Sequence, residues 1–106
     1  MNIKNYKKLR FGLLGLGTVV NVRIYKLLKK ELKGEIKVVS VFDKNEKLTR
    51  DYSNKFNCRS SKNENDFFSN DFKYCYISTP SGSHFKDIMK CFKHQKHVVV
   101  EKPPVL

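Results

Sequence analysis

The sequence contains no alanine, only 10 acidic side chains against 22 basic ones, and three cysteines with no Cys-x-x-Cys spacing. Without alanine, the A-x-A end of a secretory signal is missing, although basic residues up to Arg10 and the run FGLLGLGTVVNV mimic the start of one. That run meets Arg23 and Tyr25, and it is too short and glycine-rich to span a bilayer, so a cytoplasmic protein without a membrane partner is expected. Cys58, Cys75 and Cys91 are an odd number, which does not make a disulfide framework. With no His-x-x-x-His spacing either, no metal site is expected. The shortage of acid leaves a net charge of +12, which first suggests a nucleic-acid partner. The lysines scatter over every segment, however, and only 4 of the 22 basic residues are arginine. Neither a basic helix nor arginine interleaved with aromatics is present, so no specific nucleic-acid partner is expected. Eighteen lysines and nine asparagines beside no alanine look like a bias towards A/T-rich codons.

What is present is enough for a core: 8 Phe, 10 Val, 9 Leu and 5 Ile in 106 residues, the length of one small domain. Arg10 to Leu14 reads as a strand running into glycines. From Thr18 to about Lys33 the apolar period changes to three and four, through Leu16, Val20, Ile24, Leu27 and Leu28, and Gly34 stops that helix. Ile36 to Phe42 is β-branched and nearly continuous in apolarity, as suits a parallel strand covered on both faces. Leu48 to Phe56 reads as a weak helix. Cys58 to Asp71 is polar and ambiguous, with a helical turn at Asp66–Phe68 and at most a short edge strand. Tyr74 to Ser78 is a strand ended by Pro80. Ser81 or Ser83 caps a helix whose stripe is Phe85, Ile88, Met89 and Phe92. His97 to Val100 closes the pattern as a last strand. Strands alternating with helices predict an α/β fold, a Rossmann-like parallel sheet with helices on both faces and strand order 3-2-1-4-5.

Chemistry concentrates where strands end. Gly12-x-x-Gly15-x-Gly17 lies at a strand-to-helix junction, where glycines let a pyrophosphate approach backbone N–H groups. Val20 stands where the strict fingerprint has its third small residue, so a glycine-rich turn capping a buried helix is the competing reading. Gly12, Gly15, Leu16, Gly17, Thr18 and Val19 are the candidates for this loop. Asp43 ends the next strand, where a carboxylate accepts from ribose hydroxyls and disfavours a 2′-phosphate; a solvated turn residue is the alternative. Lys44 beside it would instead pair with such a phosphate. NAD therefore leads, with NADP as the alternative. Ser78, Thr79, Pro80 and His84 leave a strand and enter a helix, and with Glu101, Lys102 and Pro103 they should face the same ligand edge. His94 and His97 are weaker candidates, at a helix end and a strand start.

Thr79-Pro80 with His84 four residues on, then Lys96-His97-Val98 and Glu101-Lys102-Pro103, resembles the N-terminal domain of the Gfo/Idh/MocA oxidoreductases, and GLLGLG fits their glycine loop. The resemblance runs from about Arg10 to Leu106. It implies NAD- or NADP-dependent oxidation or reduction of a sugar, cyclitol or related alcohol or ketone. By that resemblance Lys102 is the catalytic residue, approaching the nicotinamide and the substrate oxygen, and Pro103 fixes its turn. The resemblance also implies a larger substrate-binding domain. Residues 1–106 are then one dinucleotide-binding domain, the substrate domain is missing or separately encoded, and activity of these residues alone is not expected; a non-catalytic nucleotide-binding module or a truncated remnant is the alternative reading. Apolar side chains such as Val105 and Leu106 would then favour self-association. Gln95 stands where that family commonly has a helix-ending glycine, at a position that asks for left-handed backbone.

Overall fold

A computed structural model describes residues 9–17 and 34–100 of the chain. The expected helix from Thr18 to Lys33 lies outside them, as do the basic tail before Leu9 and everything from Glu101 onward. The described elements are β1 (Leu9–Leu14), β2 (Ile36–Phe42), α1 (Glu46–Phe56), β3 (Arg59–Ser60), α2 (Glu64–Phe68), β4 (Tyr74–Ile77), α3 (His84–Lys93) and β5 (His97–Val100), with a 3₁₀ turn at Ser81–Ser83 before α3. The strands form one parallel sheet in the order β3-β2-β1-β4-β5. This is the Rossmann-like arrangement that the alternation of elements predicts.

The local chemistry explains most boundaries. α1 starts two residues before the expected Leu48 because Asn45 caps it, its side chain accepting from the N–H groups of Lys47 and Leu48. It stops at Asn57, whose φ of 52° is a left-handed conformation that asparagine tolerates better than most residues. The ambiguous stretch after Cys58 becomes the two-residue edge strand β3 and the single-turn α2, capped by Asn63. Polar as it reads, that stretch supplies Phe67 and Phe68, and with Phe72 they form a buried aromatic cluster with ring centroids 4.9 to 6.5 Å apart.

Both sheet faces are covered. On the α1 side Leu13, Leu16, Val38, Val41, Tyr52 and Tyr76 pack together. On the other side Leu14, Phe67, Phe68, Phe72, Cys75, Ile77 and Cys91 pack beneath α2 and α3. The register slips between Phe11, opposite Val38, and Gly12, opposite Ser40, so Val39 is an extra residue in β2. This bulge turns Ser40 towards α2, where its buried hydroxyl donates to the Phe67 carbonyl at 3.3 Å and meets the Ser61 hydroxyl at 3.0 Å.

α3 departs from the amphipathic expectation. Phe85, Met89 and Phe92 are 75%, 50% and 59% exposed, and Ile88 alone of the expected stripe is half-buried. The buried side chains of α3 are Asp87 and Cys91. Two contacts set this phase: Asp87 accepts from the Thr79 hydroxyl, and Cys91 packs in the core with Cys75 of β4. Ser83 occupies the N-cap position without a side-chain cap bond. Beyond the helix, Gln95 has a φ of 59°, the left-handed conformation expected there. Lys96 then ties the end of this unit to the chain before β4, donating to the carbonyls of Phe72 (2.8 Å) and Asn70 (3.2 Å) above the Phe72 ring. Burial of that ammonium lowers its pKa from the ordinary lysine value.

Candidate functional site

In a parallel sheet every strand delivers its carboxyl end to the same edge, and the strand order here reverses between β1 and β4. Gly15 follows β1 at this switch point. Its φ is +90°, and a Cβ on it would lie 2.7 Å from the Thr79 nitrogen and 2.8 Å from the Ser78 carbonyl carbon. Only glycine fits both the angle and the space. The two loops are laced together around it. The Ser78 N–H donates to the Leu14 carbonyl (2.9 Å), the Ser78 hydroxyl donates to the Gly15 carbonyl (2.6 Å), and the Gly15 N–H donates to Phe42 at the end of β2 (2.9 Å).

The other two glycines differ. Among the described residues a Cβ on Gly17 would meet nothing within 4 Å, which leaves open space beside the backbone on that side. A Cβ on Gly12 would lie 2.7 Å from the Phe72 ring and 2.9 Å from Phe67. Gly12 sits within β1, two residues before its end, so aromatic packing rather than the ligand edge accounts for it. Leu16 is buried in the core, and its N–H donates to Asp43 Oδ2 at 2.8 Å. Thr18 and Val19 lie outside the described residues, as do Glu101, Lys102 and Pro103.

Asp43 is more than a strand-end acid. Oδ2 accepts from Leu16, Oδ1 accepts from the Asn45 N–H at 2.8 Å, and its own N–H and carbonyl both engage the buried Thr49 hydroxyl of α1 (3.0 and 2.9 Å). The carboxylate therefore fastens the glycine loop to β2. Each of its oxygens keeps a lone pair for a further donor, as a ribose hydroxyl would be.

The β4 loop holds a second network. His84 Nε2 bonds the Thr79 carbonyl, and the Thr79 hydroxyl donates to Asp87 Oδ2. Lys90 lies 4.0 Å from the other Asp87 oxygen and pairs with Glu64 of α2. Leu14, Gly15, Phe42, Asp43, Lys44, Thr79, Ser83, Lys86, Asp87 and Lys90 line much of a cleft of about 250 Å³ at this edge. A neighbouring cleft of about 330 Å³ shares Phe42, Asp43 and Lys44 and runs on past Thr49, Arg50, Ser60, Ser61 and Lys62. The seam between the two clefts is the end of β2. Pro80, from the same loop, is exposed.

Thr49 and Asp87 are the members that sequence reasoning missed. A threonine six residues past a strand-end acid carries no distinctive signal. A lone aspartate within an apolar helical stripe does carry one, since a buried carboxylate there requires a partner. The other histidines serve packing: His94 stacks on Phe68 at 4.4 Å, and His97 lies over Tyr74. Among the described residues no three His, Cys, Asp or Glu side chains cluster as metal ligands, and no helix is long and apolar enough to cross a membrane.

The model of an oxidoreductase family described as having an NAD-binding Rossmann fold, Gfo/Idh/MocA, matches residues 9–106. The chain belongs to this family. The sheet, the glycine turn at its switch point and the bonded strand-end acid are thus parts of a Gfo/Idh/MocA NAD(P)-binding domain. Similar solved structures include a WlbA dehydrogenase from Chromobacterium violaceum in complex with NADH and UDP-GlcNAcA (26% identity, TM-score 0.82, covering 91% of this chain and 28% of that one). The WlbA dehydrogenase from Bordetella pertussis, bound to the same two ligands, shares 24% identity at a TM-score of 0.80, over 92% of this chain and 29% of that one. KijD10, a 3-ketoreductase from Actinomadura kijaniata in complex with NADP and TDP-benzene, shares 19% identity at a TM-score of 0.81, over 92% and 30%. The Gfo/Idh/MocA chain described here spans less than a third of the length of these structures. None of the curated proteins matches it.

Proposed function

We propose that this chain holds a nicotinamide dinucleotide across the carboxyl edge of its sheet, as the cofactor half of an oxidoreductase acting on a sugar, cyclitol or related alcohol or ketone. The observation that carries the proposal is Gly15, whose positive φ and missing Cβ space bring the β1 and β4 loops together and let a pyrophosphate approach Gly17. Leu16 contributes through the loop it anchors, because its N–H is already engaged by Asp43. Asp43 accepts an adenosine ribose hydroxyl with its remaining lone pairs, which favours NAD. Lys102 approaches the nicotinamide, with Glu101 and Pro103 shaping its turn, as the family resemblance implies.

When bound, the nicotinamide supplies hydride transfer to or from a substrate carbon. The residues described here bind and orient it from one side. Turnover then requires a second wall and a proton-transferring group, which we assign to residues other than these 106. Residues 1–106 are read as a single cofactor-binding domain.

A second reading concerns the choice of cofactor. Lys44, Arg50 and Lys62 line the cleft beyond β2, and none is in an ion pair among the described residues. That surplus of positive charge favours a 2′-phosphate and hence NADP. Titration of the purified chain with NADH and NADPH, followed by nicotinamide fluorescence, tests both readings. We expect both to bind, with NADH the tighter. Tighter NADPH would move the assignment to the second reading, and binding of neither would overturn the proposal.

A further inference from the structure

We propose that Asp87 is a positioning residue for the dinucleotide, acting through Thr79 on the loop that faces Gly15. The inference rests on the cofactor-binding reading above and adds a residue that composition and motif do not single out. Asp87 sits in the first turn of α3 with its side chain buried, in a helix that leaves three large apolar side chains exposed. Its Oδ2 accepts a short hydrogen bond from the Thr79 hydroxyl. A threonine side chain has a stiff χ1, so fixing the hydroxyl also fixes the methyl. The position a Cβ would occupy on Gly15 lies 2.9 Å from that methyl and 2.7 Å from the Thr79 nitrogen. The bond from Asp87 therefore directs the methyl onto the glycine turn and holds the β4 loop at closest approach.

The remaining contacts brace the same arrangement. His84 Nε2 holds the Thr79 carbonyl, and Lys90 stands between Asp87 and Glu64, balancing a carboxylate that would otherwise repel a pyrophosphate. Asp87, Thr79 and Gly15 all line the same cleft. Losing the Asp87 bond frees Thr79 to rotate its hydroxyl towards Gly15, so the two loops part and the cleft loses its shape. Displacements of this kind are costly for a ligand held at several points at once.

The test is a set of variants of the whole chain, titrated with NADH and with NADPH, with melting followed in parallel. Asp87→Asn keeps an acceptor for Thr79 and should bind within about twofold of the parent. Asp87→Leu removes the bond from the acid side and Thr79→Val removes it from the hydroxyl side at nearly constant volume, and each should weaken binding about tenfold. The double variant should be no weaker than either single one, because both remove the same contact. A merely structural role would make affinity follow stability. The positioning role separates them in the double variant, which leaves neither a buried carboxylate nor a hydroxyl without its partner and so should melt near the parent while binding as weakly as the single variants. Parental affinity in Asp87→Leu and Thr79→Val, or additive losses in the double variant, would overturn the inference while leaving cofactor binding intact. Should the parent chain bind neither dinucleotide, the cofactor-binding reading itself fails and the inference with it.

Discussion

Gly15 and Gly17 belong to one sequence motif, yet their surroundings require that alanine at the two positions have opposite effects. At Gly15 an alanine is strained twice. Left-handed backbone costs a residue with a Cβ about 1–2 kcal/mol. The new atom would also stand 2.7 and 2.8 Å from main-chain atoms of Thr79 and Ser78, which cannot swing aside as a side-chain tip would. Forcing those atoms apart breaks into the Ser78 hydrogen bonds and adds about 1–3 kcal/mol, the usual cost of overpacking. Gly15→Ala should therefore lose about 2–5 kcal/mol, a large share of what a domain of this size has. Its melting temperature should fall by roughly 10–40 °C. Gly17 has no positive φ and an empty Cβ position, so Gly17→Ala should melt within a few degrees of the parent. The open space beside Gly17 is where the ligand's backbone approach is proposed, and there the new methyl should weaken dinucleotide binding about tenfold or more. Thermal melting and fluorescence titration of the two variants read both quantities. An unchanged melting temperature for Gly15→Ala would refute the steric argument, and parental affinity for Gly17→Ala would refute the placement of the ligand.

Two further outcomes follow from residues away from the cleft. Gln95 holds a φ of 59° just after α3, so Gln95→Gly should stabilise the chain by about 0.5–1 kcal/mol, checked by denaturant unfolding; a lower midpoint would refute it. Burial pushes the Cys58 thiol up to about 11, so the folded chain keeps it protonated at pH 8. Iodoacetamide should then modify it roughly a hundredfold more slowly than a free cysteine at that pH, by mass spectrometry of the folded chain. The sign for stability follows: the contribution of the protonated thiol is present at neutral pH and is lost as pH rises towards 11. Rapid alkylation at pH 8 would contradict the burial.

The sheet was legible because its strands carry their own signals. Short apolar runs ending in glycine, aspartate or proline place β1, β2 and β4 nearly to the residue, and alternation with helices dictates a parallel order. What stayed hidden has a different physics. The bulge at Val39 cannot be seen in Ile36-Lys-Val-Val-Ser-Val-Phe42, because an apolar run reads the same with or without an extra residue. α2 was legible only as the turn Asp66–Phe68, because it is short and its neighbours are polar, and the burial of Phe67, Phe68 and Phe72 is what gives it a reason to form. α3 was misread in its phase. Three- and four-residue spacing of Phe85, Ile88, Met89 and Phe92 names a stripe, but the Asp87–Thr79 bond and the packing of Cys91 with Cys75 accompany the opposite side meeting the sheet.

At the candidate site, motif reading found residues and the structure separates their tasks. Gly12, Gly15 and Gly17 look equivalent in sequence, but the first yields space to aromatic rings, the second to a crossing backbone, and the third to nothing among the described residues. Spacing alone cannot make that distinction, since it depends on what the next strand brings alongside. Asp43 shows the same limit in another form. Its position after β2 makes it a candidate for a ribose, and the fold loads it with two backbone amides before any ligand arrives. A carboxylate already engaged in that way is held in orientation, and a donor that reaches it finds lone pairs with a fixed direction. Asp43 through Leu16 and Asp87 through Thr79 thus place two acids at opposite ends of one arrangement, each fixing a loop that borders Gly15. In the binding mode proposed above, neither acid needs to touch the pyrophosphate to govern how closely the backbone can approach it.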